Sequence, residues 1–334
     1  MTVKFGLLGA GRIGKVHAKA ISADANAELV AVADAFPAAA SAIAAQYGCK
    51  VLTIDEILAS KDIDAVVICT PTDTHADLIE AFARAGKAIF CEKPVDLSLA
   101  RVKACLAVVR DTKAVLMVGF NRRFDPHFAA VRATIDAGTL GDVEMVTITS
   151  RDPGAPPVEY IARSGGIFRA MTIHDFDIAR FLLGEEVSEV SAMAAVLTDP
   201  AIKATGDFDS VSVMLKTASG KQCLISNSRR ATYGYDQRIE VHGSLGAATA
   251  ENQRPVMIEV ATAAGYTRPP LHDFFMTRYT EAYAAEIAAF IAAVGGAGVA
   301  SPSGEDGLAA LALAEAALKS VAEGRFVKLS EILG

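Results

Sequence analysis

The chain has 334 residues, which at a soft prior of about 150 residues per domain favours two domains. Hydrophobic residues make up 52% and charged residues 21%, a composition that excludes an intrinsically disordered chain and is typical of an enzyme with large cores. With 32 basic and 39 acidic residues the formal net charge is −7, so neither nucleic acid nor an anionic membrane is expected as a partner.

The cysteine pattern and the apolar stretches predict a cytoplasmic location. The five cysteines are widely spaced, at positions 49, 69, 91, 105 and 223, and contain no C-x-x-C pair. This favours reduced thiols over a disulfide framework or a zinc ribbon. The first apolar stretch ends at Arg12, too early for a signal-peptide core, and the longest, 287–300, is shorter than the roughly 20 residues that span a bilayer.

The first part of the chain alternates short apolar strands with helical segments. Strands are predicted at Val3–Leu8, Leu29–Ala33, Ala65–Cys69, Ala88–Cys91 and Ala114–Gly119, and helices at Arg12–Ser22, Pro37–Tyr47, Thr74–Ala85 and Leu97–Arg110. Nearly continuous hydrophobicity in the strands indicates a parallel sheet covered on both faces. With right-handed crossovers, this predicts an α/β domain with a Rossmann-like doubly wound sheet over residues 1–121.

The pattern changes after Asn121, which begins a second predicted domain, residues 122–334. Its predicted elements are a helix at Pro126–Ala137, strands at Val143–Thr149, Val187–Val196, Ser210–Leu215, Gln222–Ser226, Arg238–His242 and Val256–Val260, and alanine-rich helices at Glu281–Val294 and Gly307–Ala322. Several of these strands alternate apolar and polar residues, so one face is buried and the other is wetter. We therefore predict an α+β domain with a large, mostly antiparallel open sheet.

A glycine-rich turn, G-x-G-x-x-G, follows the first predicted strand and opens a helix. Its residues are Gly9, Gly11, Arg12, Ile13 and Gly14, with Ala10 between the first two. Missing side chains let the backbone approach a pyrophosphate, and the helix start supplies N–H groups and partial positive charge. Asp34 ends the second strand, where its carboxylate can take both ribose hydroxyls and repel a 2′-phosphate. The cofactor is therefore predicted to be NAD rather than NADP.

Two further strand ends lie on the edge of a parallel sheet where such folds bind ligands. They carry Thr70-Pro71-Thr72 and Glu92-Lys93-Pro94, and we expect the first three residues and Glu92 and Lys93 to contact the cofactor. His75 begins the next helix. It either lies against the cofactor or is a residue of the first helical turn with no role in binding. The six histidines show no metal-ligand spacing, so no metal site is predicted.

Four segments together resemble the Gfo/Idh/MocA oxidoreductases: GAGRIG, CTPTDTHADLIEAFARAGKAIFCEKP, GFNRRFDPHFA and SGGIFRAMTIHDFDIARFL. Within that family, SRDPGAPPVEYIARSGG followed by MTIHDFD looks most like the bacterial inositol dehydrogenases. The resemblance covers about residues 3–330. It implies NAD(P)-dependent oxidation of a polyol or sugar hydroxyl to a ketone, in a homotetramer built through the open face of the C-terminal sheet.

The resemblance also implies roles for individual residues. Lys93 resembles the lysine that touches the nicotinamide ribose and the substrate hydroxyl, and His174 resembles the catalytic base. Arg123, Asp152 and Tyr235 resemble polyol-contacting positions. The resemblance further implies a cis peptide bond between Lys93 and Pro94. Chemically, an ammonium can stabilise charge on the oxygen while a neutral imidazole accepts its proton.

Each of these side chains also has a structural alternative. His174 could simply be satisfied within a packed helix, although its polar neighbours favour function, and Lys93 could be a solvated strand-end residue. Arg123 could tie down a helix start instead of lining a substrate pocket. Arg229 and the arginine after it are expected to be surface charges or an interface pair.

The family pattern breaks at Ala170, where the resemblance implies an aspartate four residues before the histidine. In an α-helix, positions 170, 174 and 177 share a face, so a carboxylate at 170 could orient the imidazole. Alanine has no acceptor, which predicts severely impaired activity and would also fit an introduced substitution. Alternatively, Asp177 could take over the orienting role.

Three other functions fit the same sequence features. The first is a sugar or glycoside dehydrogenase of the same family. The second is a catalytically silent regulatory protein that binds NAD. The third holds NADP tightly and recycles it between two sugars, which Asp34 and the lack of an export signal disfavour. The preferred interpretation is an NAD-dependent dehydrogenase acting on an inositol-like polyol.

Overall fold

A computed structural model of the chain describes residues 2–161 and 163–334, together with the backbone of residue 162. The first part alternates strands and helices, with short 3₁₀ turns at Thr72–Thr74 and Asn121–Phe124. In chain order the elements are β1 (Val3–Leu8), α1 (Arg12–Ala23), β2 (Ala27–Ala33), α2 (Pro37–Tyr47), β3 (Lys50–Val51), α3 (Ile54–Ala59), β4 (Ala65–Ile68), α4 (His75–Arg84), β5 (Ala88–Cys91), α5 (Leu99–Thr112) and β6 (Leu116–Val118).

The remainder of the chain is richer in strands. Its elements are α6 (Pro126–Asp136), β7 (Val143–Arg151), α7 (Val158–Ser164), a π-helical turn (Phe168–Thr172), α8 (Ile173–Leu183), β8 (Val187–Ala195), α9 (Pro200–Lys203), β9 (Ser210–Thr217), β10 (Gln222–Ser228), β11 (Asp236–Gly243), β12 (Gly246–Ala250), β13 (Val260–Thr262), β14 (Gly265–Thr267), α10 (Phe275–Arg278), α11 (Thr280–Val294), α12 (Gly304–Glu323), β15 (Val327–Lys328) and α13 (Ser330–Leu333).

The chain forms two compact units. The first unit comprises the chain up to Phe124 together with Thr280–Leu311, and the second comprises Asp125–Tyr279 and Ala312–Gly334. The predicted division at 121/122 lies three residues from this boundary but misses the return of 280–311 to the first unit. That segment returns because α11 places Phe290 in the core, with its ring 6.1 Å from that of Phe5 and 5.7 Å from that of Phe90.

The first unit contains a six-stranded parallel sheet in the order β3-β2-β1-β4-β5-β6, which confirms the predicted doubly wound fold. The order reverses at β1, so the loops after β1 and β4 start on opposite sides of the switch point, where such sheets bind ligands. The central strands β4 and β5 are wholly buried, as their continuous apolar sequence predicts.

The second unit contains a seven-stranded sheet in the order β12-β11-β7-β10-β9-β8-β15. All neighbours are antiparallel except β7 and β10, so the predicted mostly antiparallel sheet is confirmed. Alternation along β9 and β10 buries Val213 and Ile225 and leaves Met214 and Leu224 exposed on the open face.

Some elements differ from the sequence-based prediction. The strand predicted at Val256–Val260 is wrong, because only its last residue belongs to a strand, β13, and Met257 and Ile258 are exposed. An alternating run forms a strand only where another strand pairs with it. Helix α3 was not predicted, although Thr53 and Glu56 form a capping box at its start.

Candidate functional site

In the first unit, the glycine turn has the local geometry that a pyrophosphate needs. Gly9 has φ +98°, and a Cβ there would lie 2.5 Å from the carbonyl oxygen of Cys69. A Cβ on Gly14 would overlap the carbonyl of Gly9, so the first and third glycines are required by turn and packing. A Cβ on Gly11 would meet nothing within 4 Å, which leaves open space at the start of α1.

The acid predicted to hold the ribose is tied to this turn. Oδ2 of Asp34 accepts a hydrogen bond from the Ala10 N–H at 2.5 Å, and Oδ1 accepts one from the Phe36 N–H at 2.7 Å. Because each carboxylate oxygen can accept more than one hydrogen bond, the same side chain can also take ribose hydroxyls. Arg12 is exposed, whereas Ile13 packs on the core beneath the turn. These residues therefore fit a dinucleotide.

The loops after β4 and β5 are joined by a buried histidine. Nδ1 of His75 lies 2.8 Å from the carbonyl oxygen of Pro94, and its Nε2 lies 2.8 Å from that of Thr70. The described contacts of this ring are thus with the protein backbone, and the histidine braces the two loops predicted to meet the cofactor. Lys93, in the loop after β5, is partly exposed, and the Lys93–Pro94 bond is cis, as the resemblance implies.

Glu92 is buried and faces inward. Its Oε1 lies 2.7 Å from Nε2 of His17. The carboxyl of Glu286 from α11 completes a cluster in which one ring nitrogen of His17 and one carboxyl oxygen of each glutamate all lie within 4.8 Å of one another. Sequence reasoning selected Glu92 but missed its two neighbours. A lone acid within the apolar stretch of α11 was the available signal for Glu286.

In the second unit, His174 is the second residue of α8, directly after the π-helical turn that contains Ala170. The expectation of one α-helical face through 170, 174 and 177 therefore needs correction. The π turn widens the hydrogen-bonding pattern to i→i+5, so Ala170 and His174 do not belong to one regular α-helix, although their separation of four residues is still about one turn. Single π turns are frequent at functional sites, which agrees with the position of His174.

One side chain from the sheet fixes the helix on both sides of His174. Oγ1 of Thr172 donates to Oδ1 of Asn227 at 2.7 Å, and Nδ2 of Asn227 donates to Oδ2 of Asp175 at 2.9 Å. Asp175 is fully buried and Asp177 nearly so. Asn227 on β10 therefore positions the segment that carries the candidate base, and sequence analysis did not identify it.

The loop before the π turn is held by a buried ion pair. Arg229 lies 3.2 Å from Asp207, whose Oδ1 also accepts a hydrogen bond from the Ile167 N–H at 3.0 Å. A Cβ at Gly166 would lie 2.5 Å from that carboxylate. Burial lowers the pKa of Arg229 while the charge of Asp207 opposes that shift. The expectation that Arg229 is a surface charge is thus wrong, because its guanidinium is buried against this acid.

The three residues predicted to contact a polyol have different surroundings. In the first unit, Arg123 donates to Asp306, in the first turn of α12, at 3.0 Å, which agrees with the alternative that it ties down a helix start. In the second unit, Tyr235 is buried with its ring 5.4 Å from that of Phe274. Asp152 follows β7, and its N–H donates to the carbonyl of Ser228 at 2.9 Å.

Two further features concern the cysteine thiols and the helices. All five cysteines are free thiols. Burial, with the nearby charge of Glu92, raises the pKa of Cys91 well above its usual value, so this thiol is not an activated nucleophile. Among residues 2–334, no helix combines the length and the apolar character that crossing a membrane requires.

Taken together, the sheet order, the open glycine turn and the anchored acid define a dinucleotide-binding oxidoreductase fold. Residues 3–120 match the oxidoreductase family with an NAD-binding Rossmann fold, and residues 128–249 match the GFO/IDH/MocA C-terminal domain. The chain belongs to the Gfo/Idh/MocA family of oxidoreductases. It is an enzyme, and its cofactor is NAD.

Individual relatives are similar over their whole length. The chain is 76% identical over 330 residues to an inositol 2-dehydrogenase of Rhizobium meliloti, covering 99% of this chain and 100% of that one. The crystal structure of a myo-inositol dehydrogenase from Corynebacterium glutamicum is 44% identical, with a TM-score of 0.95 over 98% of this chain and 99% of that one. A scyllo-inositol dehydrogenase from Lactobacillus casei, with bound NAD(H) and scyllo-inositol, is 27% identical, with a TM-score of 0.92 over 99% and 100% of the two chains.

Proposed function

We propose that this enzyme oxidises a secondary hydroxyl of a cyclic, inositol-like polyol to a ketone. The observation that carries the proposal is the 76% identity over 330 residues to an inositol 2-dehydrogenase. At this identity the two chains share a fold and most of their side chains. The anchored Asp34 and the open glycine turn give this chain the matching nucleotide machinery.

The reaction needs two groups from the protein. We assign the proton of the hydroxyl to His174, acting as general base, and the stabilisation of the negative charge on the oxygen to Lys93. NAD, when bound, supplies the redox chemistry by accepting the hydride from the carbinol carbon. The protein residues therefore hold and polarise the hydroxyl, and Asn227 holds the helix that carries the base.

We further propose that Ala170 impairs this reaction, since alanine cannot orient or charge-stabilise the imidazole as a carboxylate would. Arg123, Asp152 and Tyr235 remain proposed polyol contacts. Several hydrogen bonds to ring hydroxyls would give such a site strong discrimination between isomers.

The decisive experiment is a spectrophotometric assay of NADH formation with a panel of inositols and sugars. Faster turnover of inositols supports the proposal, and faster turnover of aldoses or glycosides supports the rival sugar dehydrogenase. Equilibrium binding of NAD without NADH formation, in this chain and in Ala170→Asp alike, would instead support a silent regulatory protein.

The choice of NAD over NADP gives the first testable prediction. Asp34→Ser should raise the KM for NAD about 10- to 100-fold, because a charge-assisted contact to the ribose is worth about 1.5–3 kcal/mol, and should weaken the preference for NAD over NADP. Initial rates with both cofactors measure this. Asp24→Ser is the matched control, since Asp24 likewise accepts a backbone hydrogen bond, from the Asn26 N–H at 2.7 Å. If Asp34→Ser and Asp24→Ser changed the ratio of the NAD rate to the NADP rate equally, the assignment of Asp34 to the ribose would be wrong.

We also propose a cytoplasmic homotetramer assembled through the open face of the second unit's sheet. Exposed apolar side chains on β7–β10 support it, since such surfaces commonly bind another protein: Met145, Met193, Met214 and Leu224. Leu224→Glu should then shift the mass measured by light scattering from four chains to fewer. Leu245→Glu, at an exposed turn, should leave it unchanged. A single-chain mass for the parent would contradict the tetramer.

A further inference from the structure

The first unit contains a buried acidic cluster that the proposed chemistry leaves unused. The cluster consists of His17 from α1, Glu92 after β5 and Glu286 from α11, and all three residues are buried. One ring nitrogen of His17 and one carboxyl oxygen of each glutamate lie within 4.8 Å of one another. The His17 ring packs 5.0 Å from Phe90 and 5.6 Å from Tyr283. The cluster therefore lies in an apolar environment, where two ionised carboxylates are very costly.

Glu92 is paired with His17, whereas the burial of the Glu286 carboxyl needs a separate explanation. Neither carboxyl oxygen of Glu286 accepts a hydrogen bond from the residues that the structure describes. The thiols of Cys69 and Cys91 and the phenol of Tyr283 also lie at this cluster, and burial raises the pKa of both thiols well above the usual value. A thiol or a phenol is neutral when protonated and anionic otherwise, so none of the three supplies a positive charge. An ionised Glu286 would therefore accept no hydrogen bond from the described residues, and the one imidazole of the cluster, that of His17, is already paired with Glu92.

A proton on Glu286 removes this difficulty. Burial first, and the nearby charge of Glu92 second, raise the pKa of Glu286 well above its usual value. Two carboxyl groups sharing a site commonly retain one proton in this way. A neutral Glu286 can then act as a donor, and Glu92 supplies carboxylate oxygens within the same cluster.

Glu92 is also held on its other side. A Cβ on Gly119, after β6, would lie 3.2 Å from the Glu92 carboxyl atoms, so the glycine makes room for that group. Because Glu92 immediately precedes Lys93 in the chain, fixing its carboxyl restricts where the lysine can begin. Displacing a reacting group by about 1 Å can lower a rate about 100-fold.

We propose that Glu286 is a neutral carboxylic acid at physiological pH and that, together with His17, it holds Glu92 and thereby positions Lys93. Glu286 and His17 are positioning residues, not catalytic ones. The role given to Lys93 rests on the proposed function, whereas the protonation of Glu286 does not.

Infrared difference spectroscopy tests the protonation without any substrate. At pH 7 the parent should show the C=O stretching band of a protonated carboxylic acid, and Glu286→Gln should lose it. Glu281→Gln, which changes an exposed glutamate of the same helix, should keep the band. Absence of the band in the parent would overturn the proposal, as would a stoichiometric divalent cation in the purified protein, because a cation would then neutralise the two carboxylates.

Kinetics and hydrogen exchange test the positioning. In the Ala170→Asp background, Glu286→Gln should keep kcat within about threefold and leave its pH profile unchanged, because a neutral amide replaces a neutral acid. Glu286→Leu should lower kcat about 100-fold with little change in the KM for NAD, and should speed backbone exchange in 91–95. Equal kcat and exchange in the two variants would overturn the positioning role. If no variant oxidises any polyol, the proposed function fails. The infrared band still tests the protonation of Glu286, and the hydrogen exchange of 91–95 still tests whether Glu286 holds this loop.

Discussion

Ala170→Asp should raise kcat/KM for the preferred inositol about 100- to 10,000-fold, the largest gain expected from any single change. General acid–base assistance contributes about that much, and loss of an orienting carboxylate can cost about 10⁴ in rate. The new carboxylate would lie in the π turn immediately before the helix of His174, where it can orient or charge-stabilise the imidazole. Steady-state rates of NADH formation measure the effect.

Ala170→Asn is the matched control, because the amide has nearly the shape of the acid but no charge. It should recover only a small part of the gain. The affinity for NAD should be the same in all three proteins, since residue 170 lies outside the nucleotide motif. If the parent already turns over inositol as fast as Ala170→Asp, the proposed impairment is wrong, and Asp177 becomes the better candidate for the orienting group.

The nucleotide half of this picture could be predicted from sequence because its signals are local. The turn from Gly9 to Gly14 combines three backbone requirements within six residues, and β1 and Asp34 flank it in the order that a doubly wound sheet needs. The bounds of β1, α2 and β5 match the prediction because each is a short buried run or a helix punctuated by proline and glycine.

The parts that could not be predicted depend on contacts between distant residues. Asn227 reaches Thr172 across 55 positions, and nothing in its own neighbourhood marks it. Helix α11 belongs to the first unit because Phe290 fits beside Phe5 and Phe90, a match that exists only after folding. The π turn changes the spacing around His174 with no glycine or proline inside it to signal the change.

Lys93→Met should lower kcat about 100- to 1,000-fold, the largest loss expected from a single change. Removing one donor aimed at a developing oxyanion costs about that much, and methionine keeps the length of the side chain while removing its charge. The measurement is best made in the Ala170→Asp background, where kcat is expected to be high enough for a decrease of about 100- to 1,000-fold to be measured. NAD affinity should change far less than kcat, because the nucleotide is held mainly by the glycine turn and Asp34.

Two controls separate charge from position. Lys103→Met, at an exposed site on α5, should leave kcat unchanged, and Lys93→Arg should give intermediate activity because it keeps the charge on a bulkier, planar group. The double variant adds a sharper test. If Lys93 and a carboxylate at 170 both assist the same proton loss, their effects on kcat should be non-additive, since groups that act as a unit do not contribute independently. Strict additivity would mean that the two act on different steps, and the assignment of Lys93 to the reacting hydroxyl would have to be abandoned.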